Sequence, residues 1–91
     1  MLEEKIILTD NGKRVLVYMQ NHDVLLVGKD IGEETGIRGI YPTLHSLVNR
    51  GLVEKGEAEV RDFTNNKGET KPKNYQTYRL TEKGRNHVVN L

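Results

Sequence analysis

Between Arg38 and Arg50 the side chains able to do chemistry are hydrogen-bonding or cationic: Arg38, Tyr41, Thr43, His45, Ser46, Asn49 and Arg50. A second group follows at Asn65, Asn66, Lys67, Lys71 and Lys73. Neither group has the makeup of a catalytic centre. The sequence has no glycine-rich phosphate loop, nucleophile elbow or zinc motif, and it lacks cysteine altogether, which removes thiolate chemistry and any disulfide framework. His22, His45 and His87 fall on different elements with no ligand spacing, so neither a metal nor a cofactor is expected. The acids of Glu33-Glu34 and Glu54 to Glu59 read as solvated faces, because no cleft marks them as an acid/base pair. Such residues are suited to binding: an arginine fork pairs with guanine, and lysines neutralise phosphates. An enzyme is therefore the least supported class. The plain alternatives are a solvated helix face for the first group and a solubilising loop for the second.

These residues have to be positioned by local elements, and the stretch from Val27 to Glu54 reads as two short helices joined by a tight turn. The first carries Ile31 inward and closes on Thr35 and Gly36, glycine tolerating the left-handed backbone of a helix exit. The second runs from about Gly39 to Arg50. Its Ile40, Leu44, Leu47 and Val48 stand at i, i+4, i+7 and i+8, one apolar stripe, and Gly51 ends it. Pro42 has no N–H and is tolerated only in a first turn, which fixes the start near Gly39 to Tyr41. The opposite face then presents Arg38, Pro42, His45, Ser46 and Asn49, flanked by Thr43 and Arg50. Tyr41 is expected to be half-buried with its hydroxyl outward, and Asn49, late in the helix, to reach phosphate rather than bases.

Upstream, residues 1–8 are expected to form an arm, with Ile6, Ile7 and Leu8 available for packing onto the body. Thr9 and Asp10 cap a helix from Asn11 to about Gln20, whose apolar face is Val15, Leu16, Tyr18 and Met19. Val24 to Val27 supplies one or two strand-like residues. Gly32, interior to a helix, costs roughly 1 kcal/mol relative to alanine, which points to tight packing there. Downstream the period changes to 2. Leu52 to Phe63 and Tyr75 to Leu80 read as two antiparallel strands with Ala58, Val60, Tyr78 and Leu80 on the buried face. The turn formers and lysines of 64–74 predict a long, mobile, basic hairpin tip. Thr81 caps a last short helix from Glu82 to about Asn90, with a small apolar surface at His87, Val88 and Leu91.

The order is helix, helix, helix, strand, strand, helix, which predicts an α+β fold of the winged helix-turn-helix kind: a three-helix core, a two-stranded wing and a short C-terminal helix. One domain over 1–91 is expected, with the arm at 1–8, the helix-turn-helix at 27–50, the wing hairpin at 52–80 and the last helix at 81–91. Net charge is +1 but uneven. Residues 1–60 hold seven Lys/Arg and ten Asp/Glu, residues 61–91 seven and three, so −3 is followed by +4. A basic last third suits contact with phosphates on one side. No apolar run is long enough for a bilayer and the start is unlike a signal peptide, so a soluble, cytoplasmic protein with no membrane partner is expected.

The run Ile40-Tyr-Pro-Thr-Leu-His-Ser-Leu-Val-Asn-Arg-Gly-Leu-Val53 resembles the recognition helix of PadR-type transcriptional regulators, and Tyr78-Arg-Leu-Thr-Glu-Lys-Gly-Arg85 resembles the end of their wing and the helix after it. The likeness covers roughly residues 11–90 and shades into the broader MarR-like winged-helix group. It implies sequence-specific binding of double-stranded DNA, with the helix at Arg38 to Arg50 in the major groove and the wing lysines on phosphates or in the minor groove. PadR-type proteins usually continue into a C-terminal helical region that makes the dimer and helps form an effector pocket. The sequence given stops at Leu91, so a homodimer and a ligand response are left open. The competing class is a protein-interaction module that binds a basic partner through Glu3, Glu4, Asp30, Glu33 and Glu34.

Overall fold

The hydroxyl of Thr9 accepts the Gly12 N–H at 3.0 Å and starts α1, Asp10–Asn21. In the computed structural model, which describes residues 6–90, α1 turns Val15, Leu16 and Met19 fully inward. Two shorter helices, α2 (Gly28–Thr35) and α3 (Ile40–Asn49), pack on it. Left-handed Gly36, at φ 72°, ends α2, and the Arg14 guanidinium of α1 donates to the Thr35 carbonyl, a cation at the negative end of the helix. Helix α3 ends in a Schellman turn. The Gly51 N–H donates to the Val48 carbonyl at 2.9 Å and that of Leu52 to Leu47 at 3.0 Å, with Gly51 at φ 75°. The tight packing expected at Gly32 is present, since a Cβ there would lie 3.1 Å from Ile40 Cγ2.

The strands form two small antiparallel sheets: β1 (Leu26–Val27), β5 (Thr77–Leu80) and β2 (Val53–Lys55), with β5 central, and β3 (Glu59–Thr64) with β4 (Thr70–Tyr75). The fold is thus α+β. The core gathers Val15, Leu16, Met19, Ile31, Leu44 and Leu47 from the helices and Leu52 from the turn after α3, with Val53, Tyr78 and Leu80 from the three-stranded sheet. A final helical turn, α4 (Glu82–Asn86), is capped by the Thr81 hydroxyl, which accepts from the Gly84 N–H at 3.0 Å. The Gln20 side-chain amide donates to the carbonyls of Gly84 and His87, at 3.0 and 2.8 Å, and ties α4 to α1. No described helix is long and apolar enough to cross a membrane.

Four expectations are corrected. The strand expected from Leu52 to Phe63 breaks at residues 56–58, opposite Gln76, and the two halves belong to different sheets. Beyond the break the ribbon leaves the body, which makes the molecule 57 Å long and 23 × 20 Å across. Ala58 and Val60 are therefore exposed, Val60 by 61%, because no core lies beneath them; Tyr78 and Leu80 are buried as expected. The segment 64–74 is not one long loop. Thr70–Tyr75 is strand, and only 65–69 turn, with Gly68 at φ 80°. Pro72 fits β4 because the outer edge of a two-stranded ribbon needs no donor. Helix α4 stops at Asn86 rather than near Asn90, and His87 is extended. Ile6 and Leu8 pack against the core while Ile7 is exposed; the rest of the expected arm, 1–5, and Leu91 lie outside the described residues.

Candidate nucleic-acid interface

Burial of Ile40, Leu44 and Leu47, with Val48 partly covered, decides what α3 shows to solvent. Arg38, Pro42, His45, Ser46, Asn49 and Arg50 are exposed and Thr43 is half-buried. The helix begins at left-handed Gly39, φ 62°, with no side-chain cap. Pro42 removes one of the donors that a first turn leaves unpaired. Tyr41 is 42% exposed, its ring against the backbone of Gly28: a Cβ added there would lie 3.1 Å from Tyr41 Cε1 and 2.9 Å from Tyr78 Cε2. Tyr41 is thus a packing residue on one side and a surface residue on the other. Among the described residues, Arg38 and Arg50 form no ion pair.

The second candidate group sits on the β3–β4 hairpin. Its register pairs Glu59 with Tyr75, Arg61 with Lys73 and Phe63 with Lys71, so these six side chains share one face. Arg61 anchors that face to the body by a bidentate pair with Asp30 in the first turn of α2, at 2.9 and 2.8 Å, and also reaches Glu59 at 3.1 Å. The Arg61 hydrogen bond, outweighing the opposing effect of burial, holds the Asp30 carboxyl below its ordinary range. Asp30 is therefore taken up within the chain rather than offered to a partner, and Glu33 lies 3.8 Å from Lys29. Glu3 and Glu4, also expected on an acidic docking surface, lie outside the described residues.

Aromatic rings organise the cations. Lys73 Nζ stands 5.0 Å from the centroid of Phe63 and 5.5 Å from that of Tyr75, with Lys29 Nζ 5.5 Å and Arg61 Cζ 5.9 Å from the Tyr75 ring. Lys71 is largely exposed, 3.9 Å from Glu69. At the turn, the Asn65 side-chain oxygen accepts from the Lys67 N–H at 2.9 Å and the Glu69 N–H at 3.0 Å. Asn65 is thus a turn-forming residue, while Asn66 and Lys67 are exposed.

Lys29 and Phe63 were not among the residues singled out from the sequence, and Lys29 joins the two groups. It lines a shallow depression between α2 and α3 together with Arg38 and Tyr41, and its amine lies over Tyr75 at the base of the hairpin. The start of α3 and the cationic hairpin face thereby form one continuous surface. A lysine beginning a short helix carries no local sign of a ring far along the chain. The surface offers a guanidinium fork, hydroxyls, an imidazole and several amines, a set able to pair with base edges and to neutralise phosphates. No protein-family model matches the chain, and no curated protein matches it significantly.

Proposed function

We propose that this protein is a winged-helix protein that binds double-stranded DNA sequence-specifically, as a small transcriptional regulator. The observation that carries the reading is Lys29, which connects the start of α3 to the cationic face of the hairpin. In this reading α3 enters the major groove, where Arg38, Thr43, His45 and Ser46 meet base edges, with Arg38 bidentate to a guanine. Asn49 and Arg50, at the far end of the helix, contact phosphate. The hairpin is the wing, and Lys67, Lys71 and Lys73 follow the backbone or the minor groove. The Asp30–Arg61 pair fixes the angle of the wing to α2, so the two reading elements meet the duplex in one register.

A backbone amide NMR titration with a mixed-sequence duplex, at low and then moderate salt, tests this. Shifts should cluster at 29, 38–50 and 61–73 and weaken as salt rises. A chain that shows no affinity for any duplex at low salt would instead point to a docking module, for which α2 leaves Glu33 and Glu34 exposed.

A further inference from the structure

Phe63 is the chain's one phenylalanine, and it is 44% exposed near the end of a ribbon that has no core beneath it. Nothing in the groove-reading role of α3 requires an aromatic ring there. Its setting is chemical rather than structural: Lys71 is its cross-strand partner, the Lys73 amine stands 5.0 Å from its centroid, and Lys67 lies in the turn just beyond. A planar apolar ring framed by ammonium groups complements a stack of bases framed by phosphates. The same hairpin face carries Tyr75, whose ring lies 5.5 Å from the amine of Lys29 in α2, and Lys29 also lines the depression at the start of α3, so a duplex seated on α3 runs along the face that holds Phe63.

Resting on the duplex reading above, we propose that Phe63 is an intercalating wedge. With Lys71 and Lys73 on the phosphates either side of the minor groove, the ring meets a base-pair step, unstacks it, and kinks the duplex toward the major groove occupied by α3. The steps that yield most readily are the pyrimidine–purine ones, TA and CA/TG. The protein is then a DNA-bending protein, and part of its sequence preference is for deformability at a step whose base edges it does not hydrogen-bond.

The test uses end-labelled duplexes with and without a central TA step, measured by energy transfer and by affinity. The proteins compared are the wild type, Phe63→Ala, Phe63→Leu and, on the opposite hairpin face, Val60→Ala, each checked for fold by circular dichroism. Wild type should shorten the TA duplex by a kink of about 20° or more. Phe63→Ala should leave the duplex straight and weaken binding to it about tenfold with the salt slope unchanged, since the phosphate contacts persist. Phe63→Leu, still an apolar wedge, should keep most of the bend, and Val60→Ala all of it. Binding by wild type without bending, or equal bending by Phe63→Ala, overturns the wedge and leaves the DNA reading standing. Absence of duplex binding by wild type at low salt overturns both.

Discussion

Lys73 offers the most quantitative test of the proposed DNA interface. If Arg38 is spent on a base, the remaining candidate phosphate partners are Lys29, Arg50, Lys67, Lys71 and Lys73. One phosphate each gives a slope of log affinity against log salt of about −4.5, or a loss of about 500-fold between 50 and 200 mM salt. Removing one contact by Lys73→Ala should flatten the slope to about −3.6, and the loss over the same range to about 150-fold. The Lys73 amine is already held over the rings of Phe63 and Tyr75, whereas Lys67 projects from an exposed turn. Ordering Lys73 on binding therefore costs less side-chain entropy, and its loss should weaken binding more than Lys67→Ala does. Fluorescence anisotropy over a salt series, with one duplex and all variants, reads both quantities. A Lys73→Ala slope equal to that of wild type would mean that this face of the hairpin does not meet the backbone.

Other outcomes follow from the same geometry. Arg38→Ala should relax preference at particular base pairs, seen in a selection from random duplexes, while leaving nonspecific affinity close to that of wild type; equal loss on every sequence would place Arg38 on phosphate. Leu44 is fully buried, so Leu44→Ala should cost about 2–5 kcal/mol in urea unfolding, with an unchanged dependence on denaturant. Gly84→Ala would set a Cβ 1.9 Å from the Leu52 carbonyl oxygen, and exchange protection of the Gly84 and Arg85 amides should be lost as α4 lifts away; retained protection would contradict the close approach. Asp30 is held below its ordinary value of 3.8 by Arg61, so its contribution to stability is fully present above that value and is lost as pH falls through the depressed one. Its carboxyl carbon should titrate below pH 3.8, with the Arg61 signals moving in step.

What was legible in the sequence was mostly local. Thr9 with Gly12, the stripe of Ile40, Leu44 and Leu47, and the exits at Gly36 and Gly51 each encode their structure within a few residues, where capping and periodicity act. The hairpin was harder to read. Alternation through Val60 is a true strand signal although Ala58 falls in the break, but it does not say whether a core lies beneath, and here the ribbon has already left the body. Thr70 to Asn74 is polar and interrupted by Pro72, so β4 forms through pairing with β3 rather than through propensity of its own. The groups that bring the candidate site together, Asp30 with Arg61 and Lys29 with Tyr75, are joined only by folding. The candidate residues could be named from sequence, whereas the surface they share could not.

The break at residues 56–58 makes the ribbon a lever. On the near side, β2 and β5 are built into the core sheet; on the far side, β3 and β4 form an arm of roughly 20 Å, six residues of strand. The fulcrum is hydrogen-bonded from both sides. The Gln76 amide donates to Gly56 at 2.8 Å, the Thr77 hydroxyl donates to Glu57 at 2.6 Å, and the Gln76 carbonyl accepts the Gly28 N–H at 3.0 Å. A tilt of about 10° at this point carries the tip some 3–4 Å, about one strand residue's rise. Gly28 and Asp30, both in the first turn of α2, hold the fulcrum and the arm respectively, so one turn of helix sets the span between tip and α3. A small rotation of α2 would thus be read out at the far end of the molecule as a displacement of the hairpin tip relative to α3.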